Sequence, residues 1–389
     1  MTTVVLATLL MMQGCTNKSL LPFTDYVNPM VGTDATGHTF PGACAPFGMV
    51  QLSPDTRLDT WEGCSGYHYM DNTIIGFSHT HLSGTGCIDY GDIMLMPVVS
   101  YPLDTLNRDF YKSEFSHDNE IASAGYYEVL LDRWNVRVAL TAGRRAAMHS
   151  YTFNTVAEDG TVGVILDLEH RDYMIEGEFE FDGKRSFTGF RRSSSWSQDH
   201  MVHFYLEFDT PVKECRYLGK SGAYIIFDAK KGDRVVAKVG ISSVSSQNAK
   251  ENLESEVPAD NFDFAALHDK SLEMWNEYLG KIDVRGDGCE DVNNLRIFYT
   301  AMYHTAIAPN LYSDVNGLYR GMDKKIHKAE GYDRYTVFSL WDTFRTLHPM
   351  LNIIERRRSA DFMDSFLSIY REGGKLPIWE LSQAGKPTV

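Results

Sequence analysis

The stretch that decides the fold is Tyr332–Pro349, YDRYTVFSLWDTFRTLHP. Within five residues it holds Trp341, Asp342, Thr343 and Arg345, near the predicted start of a helix drawn from TVFSLWDTFRTLHPMLNII. A carboxylate accepts from two hydroxyls, a guanidinium donates in a fixed fork, and an indole covers an apolar face, so the group suits a polyol. Everything before the stretch reads as β-structure and a linker. Everything after it reads as the opening of a helical domain.

Downstream, RRSADFMDSFLSIYREGG predicts a further helix closed by Gly373 and Gly374, and LPIWEL (Leu376–Leu381) leads out of it. Paired helices with wide apolar faces need more helices to bury them. The expectation is a helical domain that the 389 residues open and do not finish. Upstream, VNNLRIFYTAMYHTAIAP predicts a helix that starts after the acidic run Asp287–Asp291 and is ended by Pro309. Residues 250–282 carry Phe264, Leu267, Leu272, Trp275 and Leu279 at helical spacing.

Residues 110–245 follow a different period. Trp134–Thr141 alternates Val136, Val138 and Leu140 with Asn135, Arg137 and Ala139; Val202–Phe208 and Arg234–Ile241 do likewise, and Thr161–Leu168 is a continuous apolar run. Short strands between Asp, Gly and Asn turns predict a large antiparallel sandwich. Ser186–Asp199 reads as a hydrophilic loop. Residues 20–100 are dense in Gly, Pro, His and aromatics, a composition of long ordered loops, which carry function more often than core strands do. Single histidines there, such as His79 and His81, read first as satisfying buried backbone groups. The fold class is therefore multidomain, β then α: a signal segment over 1–19, an antiparallel β-sandwich over 20–249, a helical linker over 250–289 and the start of a helical domain over 290–389.

Hydrophobic residues make up 43% and aromatics 12%, as in a folded, core-rich protein. The net charge of −15 argues against nucleic acid or an anionic membrane surface as partner, since both need clustered Lys and Arg. The first residues form an apolar run too short to span a bilayer, ending in Gly14-Cys15. A small residue before Cys is the pattern of a bacterial lipoprotein signal, with Cys15 the lipidated residue; simple secretion is the alternative. The expected location is the outer membrane of a Gram-negative bacterium, on its periplasmic or cell-surface side, with membrane contact only through the lipid. Five further cysteines, Cys44, Cys64, Cys87, Cys215 and Cys289, lie in no CxxC or zinc-like spacing. They read as buried thiols, with one disulfide among Cys44, Cys64 and Cys87 open.

YVNPMVGTD, GHTFPGACAPFGMVQLSPDT, SGYHY, GFSHTHLSGTGC, DYGD, SLWDTFRTLHP and GKLPIWEL stand in this order from about Tyr26 to Leu381. The ordered set resembles glycoside hydrolase family 92, calcium-dependent exo-acting α-mannosidases. The resemblance implies a β-sandwich, a helical linker and the first helices of an incomplete (α/α)6 barrel. It implies inverting hydrolysis of terminal α-linked mannose, α-1,2 above all, from N-glycan or mannan ends. Inversion uses a general acid and a general base roughly 6.5–9.5 Å apart, with room for water between them.

The family motifs that supply that acid, that base and most calcium ligands are not found in these residues. They are expected beyond residue 389, which leaves the calcium ligands unassigned and this chain with little or no activity. Asp342 matches a position that looks like a ligand to the sugar's hydroxyls, with a helix-start carboxylate or an Arg345 partner as the plain alternative. Arg345, three residues later on the same helical face, is expected to orient it. Trp341 is either core or sugar wall. The loops at Gly37–Gly42 and Ser65–Tyr69 match segments that reach over the sugar pocket, which makes His38, Phe40, Tyr67 and His68 candidates. Trp379 and Glu380 are candidates for lining or supporting it. Outside this reading stand an inverting glycoside phosphorylase of similar architecture and a non-catalytic glycan-binding module.

Overall fold

Alternation becomes strand along Val136–Ala142, where the valines and Leu140 are buried while Arg137 faces solvent. In the computed structural model, which describes residues 21–286 and 291–382, that strand belongs to an eight-stranded sheet. Its order is Tyr173–Phe181, Ser186–Ser194, His200–Phe208, Arg234–Ser242, Ala146–Phe153, Val136–Ala142, Tyr126–Leu131 and Glu120–Ser123. A seven-stranded sheet runs from Ala43–Cys44 through Gln51–Asp55, Gly76–Ser78, Met94–Val98, Thr161–Asp167 and Gly222–Asp228 to Glu214–Tyr217. The strand pairings among the described residues are antiparallel, including Ala146↔Gly240 and Thr161↔Asp228. Apolar side chains from both sheets, Leu95, Val138, Phe204 and Phe227 among them, form one buried core.

Ser186–Asp199 departs from the predicted loop. Ser186–Ser194 is a nine-residue strand pairing on both sides. It reads as hydrophilic because its inward face carries a charge: Arg191 is fully buried, donates to Asp92 at 2.6 Å and to Leu168 O at 2.8 Å, and also pairs with Asp172. A buried guanidinium held by two carboxylates takes a place that the period-2 pattern reserves for an apolar side chain.

The helical period beyond residue 245 resolves into two helices. Ser246–Glu256 is capped by Ser245, which accepts from Asn248 N, and packs on Arg234–Ser242. It ends before Pro258, and Phe264–Leu279 starts again with Asp263 accepting from Ala266 N. The second helix buries Leu267, Trp275 and Leu279, with Trp275 donating its indole N–H to Cys44 O at 2.7 Å. Phe47 of the sandwich packs between Tyr278 (ring centroids 5.5 Å) and Phe362 (6.2 Å), so one apolar core continues from the sandwich into the helices.

The single helix predicted through TVFSLWDTFRTLHPMLNII is broken. Phe338–Ser339 is a strand, Leu340–Thr343 one helical turn, and Leu347–Ile354 a second helix. Val337 has φ +63 and Ser339 ψ +63, neither helical. Pro349 has no N–H to bond back to Arg345, so it sits in the first turn of the second helix, where that N–H is dispensable. Arg356–Gly373 follows and ends at Gly374, whose φ of +77 is the left-handed turn predicted there. The four described cysteines, Cys44, Cys64, Cys87 and Cys215, are free thiols. Cys15, Cys289 and most of the acidic run at Asp287–Asp291 lie outside the described residues.

Candidate functional site

The two motifs at the C-terminal end of the sequence meet in space. Phe338 pairs with Glu380 and Ser339 with Trp379, and Leu340 N donates to Ile378 O at 2.8 Å. This short ladder sets Asp342 beside Trp379, whose indole N–H donates to Asp342 Oδ2 at 3.3 Å. Ser339 Oγ donates to the same oxygen at 2.5 Å. Asp342 itself is exposed, with room on its other oxygen for ligand hydroxyls. The Trp341 ring lies 6.0 Å from the Trp379 ring and is 67% exposed, so it is not packed in the core.

Ser339, Asp342 and Trp379 form one side of a cleft of about 360 Å³, with Trp341 outside its lining. The other side comes from the sandwich: the loop 84–87, with Thr85 and Cys87, and the indole of Trp196. Burial pushes the Cys87 thiol up to about 12, so it is neutral and unreactive there. Trp196 was not singled out by sequence reasoning. Its signal is a lone exposed indole in the polar run SSSWSQD, which the strand before it delivers to the cleft.

The predicted site residues divide. Asp342, Trp341, Trp379 and the Glu380 backbone come together. Arg345 does not join them: its guanidinium stands over the Phe344 ring at 5.3 Å, and no ion pair to Asp342 forms among the described residues. The helix breaks between the two residues, so a three-residue spacing no longer puts them on one face. The Glu380 side chain turns inward, opposite to Trp379 on the same strand, where Thr336 Oγ1 donates to it at 2.8 Å and Arg334 lies at 3.9 Å. Burial raises its pKa, against the opposing pull of Arg334 and Thr336.

His38 reaches the cleft only indirectly. Its carbonyl accepts from Gly84 N at 2.7 Å, and its ring meets Trp61 edge-on at 4.6 Å. Trp61 in turn donates to Gly86 O at 3.2 Å, so both brace the loop 84–87. Phe40, Tyr67 and His68 lie buried and do not line this cleft. Phe40 packs 5.5 Å from His81, Tyr67 donates to Glu120 at 3.0 Å, and the His68 ring is held by Ala35 O and Met70 N, each at 3.2 Å. Of these two loops, GHTFPG braces the loop 84–87 through His38, and SGYHY holds GHTFPG through Ser65 Oγ, which donates to Thr39 O at 2.9 Å.

Nearby, a buried polar cluster is built around Asp55. His81 and His170 flank Asp55, and although burial opposes its charge they hold it well below the usual carboxylate range. His79 is held by Ile93 O at 2.6 Å and by His149 at 3.0 Å, and burial lowers it to about 4. Both ring nitrogens of His79 and His81 are partnered, as the sequence suggested for these two, while Nδ1 of His170 is buried without a partner.

Residues 26–242 match the Glycosyl hydrolase family 92 N-terminal domain, and residues 248–388 match the Glycosyl hydrolase family 92 catalytic domain. The chain belongs to glycoside hydrolase family 92. A family 92 α-mannosidase from Bacteroides thetaiotaomicron, solved in complex with mannoimidazole, is 34% identical with a TM-score of 0.86, over 93% of this chain and 50% of that one. A family 92 inverting mannosidase of the same organism is 27% identical with a TM-score of 0.80, over 95% and 50%. An uncharacterized secreted glycosidase of Arthroderma benhamiae is 27% identical over 82% of this chain and 45% of its own length. The chain thus spans about half the length of the relatives it matches.

Calcium, which the family resemblance implies, takes six to eight oxygen ligands. The described residues contain no group of three or more His, Cys, Asp or Glu that could hold a metal. Asp342 is one hard ligand with its neighbours committed to indole and hydroxyl, so the described residues do not fit the ion.

Proposed function

We propose that this chain carries the sugar-holding wall of an exo-acting α-mannosidase that hydrolyses terminal α-linked mannose, α-1,2 linked, with inversion. The observation that supports it most is Asp342: an exposed carboxylate fixed by Ser339 and Trp379 at the edge of a cleft lined by two exposed indoles, Trp196 and Trp379. Asp342 accepts from two adjacent sugar hydroxyls while an indole covers the apolar ring face, which orients the terminal residue and excludes water from it. The likeness to solved family 92 mannosidases over more than nine-tenths of this chain supports the substrate class.

Inversion needs two carboxyl groups on opposite faces of the sugar. In the cleft described, Asp342 faces solvent and Glu380 faces the interior, so among the described residues the cleft holds and positions sugar without the acid and base pair. A 389-residue chain of this kind binds α-1,2-mannobiose and releases little or no mannose. Calorimetric titration and a mannose-release assay with calcium test both halves. Absence of binding, or robust turnover by this chain alone, overturns the reading. Binding without turnover is also what a glycan-binding module would show, and the exposed indoles favour that as the second reading.

Export fits the apolar leader and the secreted relative. We place the lipid on Cys15. A Cys15→Ser variant that stays in the membrane fraction and still takes up labelled fatty acid would count against it. Among the described residues no helix is long and apolar enough to cross a membrane.

A further inference from the structure

Two residues beyond the strand Trp379–Glu380 the chain is held at Ser382. Ser382, buried, meets His200 Nδ1 at 2.8 Å and Tyr90 OH at 3.1 Å through its hydroxyl, and accepts at its carbonyl from Ser197 Oγ at 2.8 Å. All three partners belong to the sandwich. The His200 ring stacks on Tyr90 at 4.5 Å and 23°, and its other nitrogen lies 2.9 Å from Asp92, so the clamp is anchored in the buried Arg191 network. The loop between Ser194 and His200 also presents Trp196 to the cleft, held from behind by Ser197 N on Asp89 at 2.6 Å and Ser195 Oγ on Ile88 O.

One loop therefore holds Trp196 on one wall and, through Ser382, the strand of Trp379 on the other. We propose that Ser382, gripped by Tyr90, Ser197 and His200, is a positioning residue that sets the separation of Trp196 and Trp379 and so the width of sugar the cleft accepts. The inference rests on the glycan reading for its ligand, though not for its geometry. A hydroxyl with two side-chain partners and a carbonyl with a third fix the strand end in three directions, whereas the two-residue ladder to Phe338 and Ser339 restrains it in one.

The experiment is the fluorine spectrum of the protein with its six tryptophans replaced by 5-fluorotryptophan, the Trp196 and Trp379 lines being assigned by Trp196→Phe and Trp379→Phe. In Ser382→Ala and in Tyr90→Phe the Trp379 line shifts or broadens while those of Trp134 and Trp275, packed in the core, stay in place. Unmoved Trp379 lines in both variants overturn the proposal. So does an equal shift of all six lines, which marks general loosening. Adding α-1,2-mannobiose to the same samples separates the two ideas. The wild-type cleft lines respond, and the clamp variants bind about tenfold more weakly. A wild type that ignores the disaccharide defeats the glycan reading while the Trp379 comparison still decides the clamp.

Discussion

Trp379 donates its indole N–H to Asp342 across 3.3 Å, and the two residues lie 37 apart in sequence. The contact places a hydrogen-bonding carboxylate and a flat apolar ring in the geometry of a sugar grip, and it exists because the segments around them pair as strands.

Replacing Asp342 by Asn keeps the shape and removes the charge. Because Asp342 is exposed, stability changes by no more than about 0.5 kcal/mol in a denaturant titration. Affinity for α-1,2-mannobiose falls about tenfold, roughly 1.4 kcal/mol, as charge-assisted bonds to hydroxyls become neutral ones. Calorimetry on the pair of proteins reads the difference.

Trp275 is a stability test of the linker. It is fully buried, lies 4.4 Å from the Tyr303 ring and bonds Cys44 O. Trp275→Ala costs about 3–5 kcal/mol through the cavity and the lost bond. Trp275→Phe costs about 1–3 kcal/mol through the unsatisfied carbonyl. Chemical denaturation should rank the two in that order.

Arg191 separates charge from shape. Its guanidinium touches Asp92, Asp172 and two backbone carbonyls with no exposure. Arg191→Met leaves two buried carboxylates without their cation and costs about 3–5 kcal/mol. Lysine does not restore it, since an ammonium cannot reach all four acceptors of a fork. Thermal unfolding of both variants checks this.

Asp314 gives a pH signature. It is buried, accepts from Ser242 Oγ and Asn252 Nδ2 at 2.7 Å each, and burial raises its pKa to about 6. A carboxyl raised in the fold binds its proton more tightly folded than unfolded, so stability falls as pH climbs from about 4 to about 6 and is lower above that by about 2–3 kcal/mol. Asp172 is raised to about 6 as well, so the comparison must be between variant and parent. Asp314→Asn removes the titrating group, keeps the bond from Asn252 and turns the Ser242 hydroxyl into the acceptor of its amide N–H, so it shows a flatter melting profile between pH 4 and 6.

The strands whose inward residues are apolar, such as Val136–Ala142, were legible in the sequence because burial and alternation coincide there. Ser186–Ser194 was not, because a paired arginine occupies the core face. The helix Phe264–Leu279 was legible from its apolar stripe and its Asp263 cap. The break at Phe344–Thr346 was not, although Pro349 carries the signal, and it is what separates Arg345 from Asp342. Asp342, Trp341 and Trp379 could be found from their chemistry. That Phe40, Tyr67 and His68 point into the interior depends on which side of a loop faces the cleft, and periodicity has nothing to say about irregular backbone. Trp196 needed the long-range pairing of its strand.

The two rungs between Phe338–Ser339 and Trp379–Glu380 tie off everything between them at a narrow neck. The helical excursion enters and leaves through that neck, so an insertion in the turns at 344–346 or 374–377 lengthens the excursion without moving its root. The cleft between Trp196 and Trp379 is in this way insulated from drift in helix length.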